Sequence, residues 1–390
     1  MIITINKRLR LNIYEENMSK KILILTASTG GGHNSAARAI ASELETQGAK
    51  PIILDALKDL GYIGKFFDVI ISQGYETSAK YTPKIYGRAY DVADLKLVRK
   101  SFDLNLVVTY MEKNILKILE QEQLDEVITT HPFAAIAVSN IKKKYLSQLS
   151  ITCIITDYTP HKSYLSKYIN RYIVAHEDTS MLMQNEGIDK NKIYPYGLPI
   201  QVKNEPSVEK SVLKSAYNLN DDFTVLIMGG SFGAGKITKT LKQIENLDVS
   251  INIIVICGRN ESLKEALDEK LNNNPPLNKT LVIGFTDRMN DFYKIADVAI
   301  TKPGGLTLTE CLYYEVPMIV PYYIPGQEEG NKDFILNNQL GEAPSKYYPL
   351  PVLVKSLMYD EHKMEIIKKS LRKNKKTDSA KHIAQLVLSN

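Results

Sequence analysis

Short apolar runs alternate along the chain with stretches whose apolar positions return every three or four residues, and this order occurs twice. Lys21 to Ala27 is an apolar run of strand length, ending in the turn Ser28 to Gly32. His33 to Gln47 then carries Ala36, Ala37, Ile40, Ala41 and Leu44 at the spacing of one helix face, and Gly48 supplies its stop. Further strands are expected at Pro51 to Leu54, Glu126 to Thr129, Ile151 to Thr156, Tyr172 to Ala175 and Lys192 to Tyr196. The second half repeats the pattern, with a strand at Phe223 to Met228, a turn at Gly229 to Gly235 and a helix to about Asn246. A strand at Ile251 to Cys257, a helix near Glu261 to Leu271 and strands at Thr280 to Ile283, Val298 to Thr301 and Pro317 to Val320 follow.

Alternating strands and helices predict an α/β fold whose parallel sheets are covered by helices on both faces. Two such runs, separated by the Pro/polar stretch Leu198 to Pro206, predict two Rossmann-like domains facing each other across a cleft. The length of 390 residues agrees with two domains of roughly 150–200 residues each. The expected boundaries are 18–200 and 201–360, with C-terminal helices over 361–390 packing back across the cleft. Residues 1–17 read as a leader, either disordered or not native, and Met18 is the expected natural start because Ser19-Lys20-Lys21 opens the first strong strand. Ligands in such sheets bind beyond the carboxyl ends of the strands, which puts the site in the cleft.

Composition narrows the function classes. No apolar run approaches the roughly 18–20 residues that cross a bilayer, so any membrane contact is expected to be peripheral. The net charge of +5 permits attraction to anionic lipid or nucleotide without demanding either. Lys142-Lys143-Lys144 and the basic tail around Lys368 to Lys376 read as solvated helix faces, and no nucleic-acid partner is expected. Cys153, Cys257 and Cys311 read as buried free thiols of a reducing cytosol. No two of the six histidines have tight metal-ligand spacing, and no metal is expected. Residues 58–102 break the α/β pattern with aromatic residues, Phe66 and Phe67 among them, interleaved with Lys and Arg. On composition this segment fits a surface in lipid headgroups and a helical satellite core equally.

The candidate chemistry lies in the turns. Gly30, Gly31 and Gly32 free backbone N–H groups beside a helix start, and His33 stands there as a base for an acceptor hydroxyl or as a helix cap. A second turn holds Gly230 and Ser231. In the third, Gly304 and Gly305 precede Thr307 and Glu310 at a helix start, an arrangement that aims donors at a diphosphate and a carboxylate at a ribose. Gln327, Glu328 and Asn331 follow a strand end and suit sugar hydroxyls, or form a polar turn. His131 and His161 each follow a strand at the mouth of the expected cleft.

The segments ILTASTGGGHNSAARAI, TDYTPHKSY, CGRN, GFTDRMNDFYKIADVAITKPGGLTLTE and VPMIVPYYIPGQEEGN resemble the monogalactosyldiacylglycerol synthase and processive diacylglycerol β-glucosyltransferase family, a branch of glycosyltransferase family 28. The resemblance runs from Lys21 to about Asn338. It implies a GT-B fold, inversion at the anomeric carbon, a UDP-sugar donor in the C-terminal domain, a lipid acceptor in the N-terminal domain and no obligatory metal or cofactor. By motif, Phe285 and Thr286 would hold uracil and Glu310 the ribose; Gly230, Ser231, Gly304, Gly305 and Thr307 would face the diphosphate, and Gln327, Glu328 and Asn331 the sugar. His33 would be the base, with Gly31, Gly32, His131, Pro132, His161, Phe66 and Phe67 on the acceptor side. The resemblance tips residues 58–102 toward lipid contact.

The expected reaction is transfer of glucose or galactose from a UDP-sugar to diacylglycerol by a cytoplasmic enzyme on the anionic inner face of the cell membrane, in one or more rounds. The alternatives are N-acetylglucosamine transfer to an undecaprenyl-linked peptidoglycan precursor, and a nucleotide-sugar-sensing binding protein. The sequence leaves the oligomeric state open.

Overall fold

The computed structural model describes residues 20–28, 31–59, 102–124, 126–202, 208–229 and 234–389. The leader at 1–17, Phe66, Phe67, Gly230 and Ser231 lie outside the described residues.

Among the described residues the strands form two six-stranded sheets, and every strand pair in them is parallel. The first contains β1 (Lys21–Thr26), β2 (Lys50–Asp55), β3 (Glu126–Thr129), β4 (Ser150–Ile154), β5 (Arg171–Ile173) and β6 (Ile193–Tyr194) in the order β2-β1-β3-β4-β5-β6. The second contains β7 (Phe223–Met228), β8 (Ile251–Ile256), β9 (Lys279–Ile283), β10 (Val298–Thr301), β11 (Met318–Ile319) and β12 (Gly341–Glu342) in the order β12-β11-β10-β7-β8-β9. Ile22 to Leu25 are all fully buried, because helices cover both faces and the strand needs no polar side.

Strand order fixes where ligands can sit. In the first sheet the order reverses between β1 and β3, and in the second between β7 and β10. At such a reversal the helices that follow the two strands leave on opposite faces, and a crevice opens at the carboxyl ends. His33 lies in the first turn of the helix that follows β1, and His131 and Gly304 lie just past β3 and β10.

The sequence pattern did not predict β12. It has two residues and no apolar run, and Val320 N–H donates to Glu342 O at 2.8 Å to hold it. A Cβ at Gly341 would come within 2.0 Å of Met318 O, so only glycine lets the strand close on β11. At the C-terminus, helix Glu361–Asn374 packs on helix Gly305–Tyr314 of the second domain, whereas helix Ser379–Leu388 packs on Gly31–Thr46 of the first. Lys20 Nζ donates to Val387 O at 2.7 Å to hold this return. The three cysteines are free and buried. Burial pushes the Cys153 thiol up to about 12.

Away from the cleft, Arg171 on β5 donates from Nη2 to both oxygens of Glu126 on β3 at 2.7 Å, and its Nε donates to Thr152 Oγ1 at 2.9 Å. Both side chains are nearly fully buried. Removing one charge strands the other in a low-dielectric interior. Arg171→Ala is expected to cost about 3–5 kcal/mol by denaturant unfolding, and an Arg171→Met, Glu126→Leu double substitution much less.

Candidate active site

The acceptor side is built where β1, β3 and β4 end. Asn34 Nδ2 donates to Ser28 Oγ at 3.0 Å, Thr26 Oγ1 donates to Asn34 Oδ1 at 2.8 Å, and Ser28 Oγ donates to Asp55. This chain of bonds ties the start of helix Gly31–Thr46 to the tips of β1 and β2 and so presents His33. His33 Nδ1 lies 2.6 Å from Thr130 O. A carbonyl only accepts, so Nδ1 carries the proton and Nε2 keeps its lone pair. Thr156 Oγ1, just past β4, is 3.2 Å from the same nitrogen. Burial pushes the His33 imidazole down to about 4, against the opposing pull of the Thr130 carbonyl. The ring is therefore neutral at pH 7, with Nε2 able to take a proton.

His131 stands with its ring centroid 4.8 Å from that of His33, in an edge-to-face arrangement. It is buried, and its Nδ1 accepts the Phe133 N–H at 3.3 Å as cap of helix Pro132–Lys144, with Pro132 at the first helical position. Desolvation, and then the neighbouring His33, hold its imidazole well below the usual range. His161 caps the short 3-10 turn Lys162–Tyr164, its Nδ1 accepting Ser163 N–H at 3.2 Å. The capping role that was one reading of His33 thus belongs to His131 and His161, while His33 is held by a carbonyl.

The donor side is built where β9 and β10 end. Helix Gly305–Tyr314 starts at Gly304, whose missing side chain leaves the first N–H groups without a cap. A Cβ placed on Gly304 would lie 3.4 Å from Lys302 Nζ, 3.8 Å from Glu328 Oε1 and 3.9 Å from Thr307 Oγ1, so an ammonium and a hydroxyl flank this helix start. Lys302 is ion-paired to Glu328, which is 2% exposed and also accepts Ile324 N–H at 3.0 Å. Glu310 accepts a hydrogen bond from Tyr293 OH at 2.8 Å, and burial, opposed by that bond, pushes its carboxyl up to about 7. Phe285 is exposed, with the Arg259 guanidinium 5.1 Å from its ring centroid, and Thr286 Oγ1 accepts Arg288 N–H at 3.0 Å. Gln327 is half-buried beside Glu328.

A cleft of about 890 Å³ joins the two sides, with Ser28, Gly31, Asn34 and Arg38 from the first domain facing Phe285, Thr286, Thr307 and Glu310 from the second. The domains meet at its floor. A Cβ at Gly305 would come within 1.9 Å of Thr156 O, and one at Gly330 within 2.0 Å of Thr159 Oγ1. Gly32 faces Leu306 across the same seam at 3.7 Å. Tyr158 OH and Thr309 Oγ1 are 3.0 Å apart across it, and Thr309 donates on to Gly305 O at 2.8 Å. Asn331, 1% exposed, bonds to Asp157, Tyr158 and Pro303. Thr156, Asp157, Tyr158 and Lys302 were not singled out from the sequence, although they lie within the motifs TDYTPHKSY and TKPGGLTLTE; their role is visible only once the two strand ends meet.

Residues 33–200 match the family model for monogalactosyldiacylglycerol (MGDG) synthase, and 224–383 that of the glycosyltransferase family 28 C-terminal domain. A processive diacylglycerol beta-glucosyltransferase of Bacillus pumilus is 28% identical over 384 residues, covering 95% of this chain and 94% of the relative. Another so named, from Bacillus licheniformis, is 28% identical over 357 residues, covering 91% of each. Among solved structures, Acinetobacter baumannii MurG superposes with a TM-score of 0.65 at 16% identity, over 95% of this chain and 100% of that one. The glycotransferase of kitacinnamycin gives 0.63 at 13% identity, over 95% and 99%. These likenesses confirm the two-domain GT-B architecture.

The His33 environment predicts a titration that can be observed directly. Its depressed pKa keeps the ring neutral, so its imidazole NMR signals should stay constant between about pH 5 and 8, where an ordinary histidine titrates. A midpoint near 6.5 would show that burial does not control it.

Proposed function

The chain belongs to the monogalactosyldiacylglycerol synthase branch of glycosyltransferase family 28, and we propose that it transfers glucose or galactose from a UDP-sugar to the free hydroxyl of a diacylglycerol with inversion. The observation that carries this reading is a neutral, carbonyl-oriented imidazole at the end of one sheet and an uncapped helix N-terminus at the end of the other, beside a cleft lined by Gly31 and Asn34 on one side and by Thr307 and Glu310 on the other.

In the proposed reaction the acceptor oxygen attacks the anomeric carbon as its proton passes to His33 Nε2. The bond from that carbon to the UDP oxygen breaks on the opposite face, and its electron pair leaves with the diphosphate. The imidazolium that forms is stabilised through Nδ1–H by the Thr130 carbonyl. The leaving charge meets the N–H groups at Gly305 to Thr307 and the Lys302 ammonium. These donors supply the charge stabilisation, and no metal is assigned a step; turnover in a chelator should equal that in magnesium. Phe285 and Thr286 are assigned to uracil, Glu310 to the ribose and Gln327 to the sugar.

The acceptor assignment rests on the match of residues 33–200 to the monogalactosyldiacylglycerol synthase family model and on relatives named diacylglycerol beta-glucosyltransferases, which favour a glycerolipid over a polyprenyl-linked precursor. No described helix is long and apolar enough to cross a membrane. Peripheral binding to the anionic inner face of the cell membrane is proposed from the net charge of +5 and from the aromatic-basic stretch 58–102, most of which lies outside the described residues.

Purified protein with diacylglycerol in anionic vesicles and either UDP-glucose or UDP-galactose should yield a β-glycosyl-diacylglycerol from one donor, read by mass spectrometry. His33→Ala should lower kcat by about 10²–10⁴-fold with UDP affinity unchanged. Glycosylation only of an undecaprenyl-linked muramyl-peptide would move the chain to the peptidoglycan reaction, and binding without transfer to either acceptor would make it a sensor. Glu310→Ala should weaken UDP binding by about 0.5–1.5 kcal/mol in calorimetry, as expected for loss of a hydrogen bond to the ribose; equal affinity would remove it from the nucleotide site.

A further inference from the structure

Asn331 stands in the motif that resemblance assigns to the sugar, yet its side chain is committed elsewhere. Its Nδ2 donates one hydrogen to Asp157 Oδ1 at 2.8 Å and the other to Pro303 O at 2.9 Å. Its Oδ1 accepts Tyr158 N–H at 2.8 Å. An amide has two donor hydrogens, and both are used, so none is left for a sugar hydroxyl in this arrangement. The three partners come from two domains. Asp157 and Tyr158 follow β4 in the first, and Pro303 follows β10 in the second, directly before the diphosphate-facing Gly304 and Gly305.

Asp157 was assigned no role by motif. It follows Thr156, whose hydroxyl touches His33 Nδ1 and whose carbonyl abuts Gly305. A covalently continuous segment therefore runs from the residue that contacts the base to the residue that grips Asn331. From Asn331 one hydrogen bond reaches the loop that presents the leaving group's helix. No other side chain described above bonds at once to the segment behind His33 and to the loop in front of Gly304.

We propose that Asp157 and Asn331 are positioning residues that set the distance between His33 and the leaving diphosphate, Asp157 by orienting the Asn331 amide and Asn331 by joining the two strand-end loops. The inference rests on the glycosyltransferase reading for its kinetic consequence and on geometry alone for its structural one. A group that fixes the reacting centres relative to one another acts on kcat. Displacement by about 1 Å in such a centre costs on the order of 10²-fold. UDP binding, by contrast, is assigned to residues of the second domain alone, Phe285, Thr286 and Glu310 for the nucleoside and the helix start at Gly305 to Thr307 for the diphosphate, so the clamp is read from kcat and from the ratio of UDP-sugar to UDP affinity.

The test uses the full chain with Asn331→Ala, Asn331→Asp, Asp157→Ala and Asp157→Asn. For each variant, kcat for glycolipid formation, Kd for UDP and for UDP-sugar, and the radius of gyration by small-angle scattering with saturating UDP are measured. Asn331→Ala and Asp157→Ala are expected to lose on the order of 10²-fold in kcat. They should keep the ratio of UDP-sugar to UDP affinity within about twofold and become larger than wild type in scattering. Asn331→Asp replaces both donors with an acceptor facing Asp157 and Pro303 and should behave like Asn331→Ala. Asp157→Asn retains an acceptor oxygen for the Asn331 amide and should recover kcat to within about fivefold of wild type.

A tenfold or greater change in the affinity ratio on Asn331→Ala, with kcat retained, would make Asn331 a sugar contact and overturn the proposal. Equal losses in Asp157→Asn and Asp157→Ala would show that the Asp157 charge acts in the chemistry and would overturn it as well. Should wild type transfer no sugar, the functional reading fails by itself. The scattering arm still decides the clamp, because UDP-bound Asn331→Ala as compact as UDP-bound wild type contradicts it.

Discussion

The architecture turns on a contact without side chains, where the Gly305 backbone lies against the Thr156 carbonyl. In the proposed reaction each sheet places one reacting group at its own strand-order reversal, and neither group would act alone. His33 has its proton-accepting nitrogen set by Thr130 but no leaving group beside it in its own domain. The helix start at Gly304 has its free N–H groups but no base. Bringing them together requires the second domain to approach the first more closely than a Cβ permits, and glycine stands both at Gly305, against the Thr156 backbone, and at Gly330, against the Thr159 side chain. The buried bonds through Asn331 and between Tyr158 and Thr309 then give the contact a register that apolar packing would leave loose.

Burial also sets the electrostatics. Burial lowers the pKa of His33 and raises those of Glu310, to about 7, and Asp157, to about 6, with the Asn331 bond opposing the shift of Asp157. For the histidine the result is a neutral base at physiological pH. For the carboxyls, the form favoured by burial is the protonated one. Their contribution to folded-state stability is greatest at low pH and declines as pH rises through about 6 for Asp157 and about 7 for Glu310. The Lys302–Glu328 pair is held near the helix start, so that a cation is already in place where the proposed reaction develops negative charge.

Much of this was legible in the sequence because the signals are local. Apolar runs such as Lys21 to Ala27 and Phe223 to Met228 announce buried parallel strands, and Gly-Gly followed by threonines announces the helix start after β10. Local signals fail where a residue is defined by a distant partner. β12 is recognisable only beside β11, since its two residues carry no pattern. Asn331 looks like a sugar ligand in a polar turn, and only the approach of β4 shows where its amide points. Histidines at helix starts look alike in sequence. Capping geometry separates His131 and His161, which accept backbone N–H groups, from His33, which donates to a carbonyl.

A crystal structure with UDP bound would test the account most directly. It predicts uracil at Phe285 and Thr286, ribose oxygens on Glu310 and the diphosphate on the N–H groups of Gly305 to Thr307, with His33 facing the terminal phosphate across the closed cleft. A diphosphate bound away from that helix start, or a nucleotide-filled cleft in which Thr156 and Gly305 have separated, would contradict it.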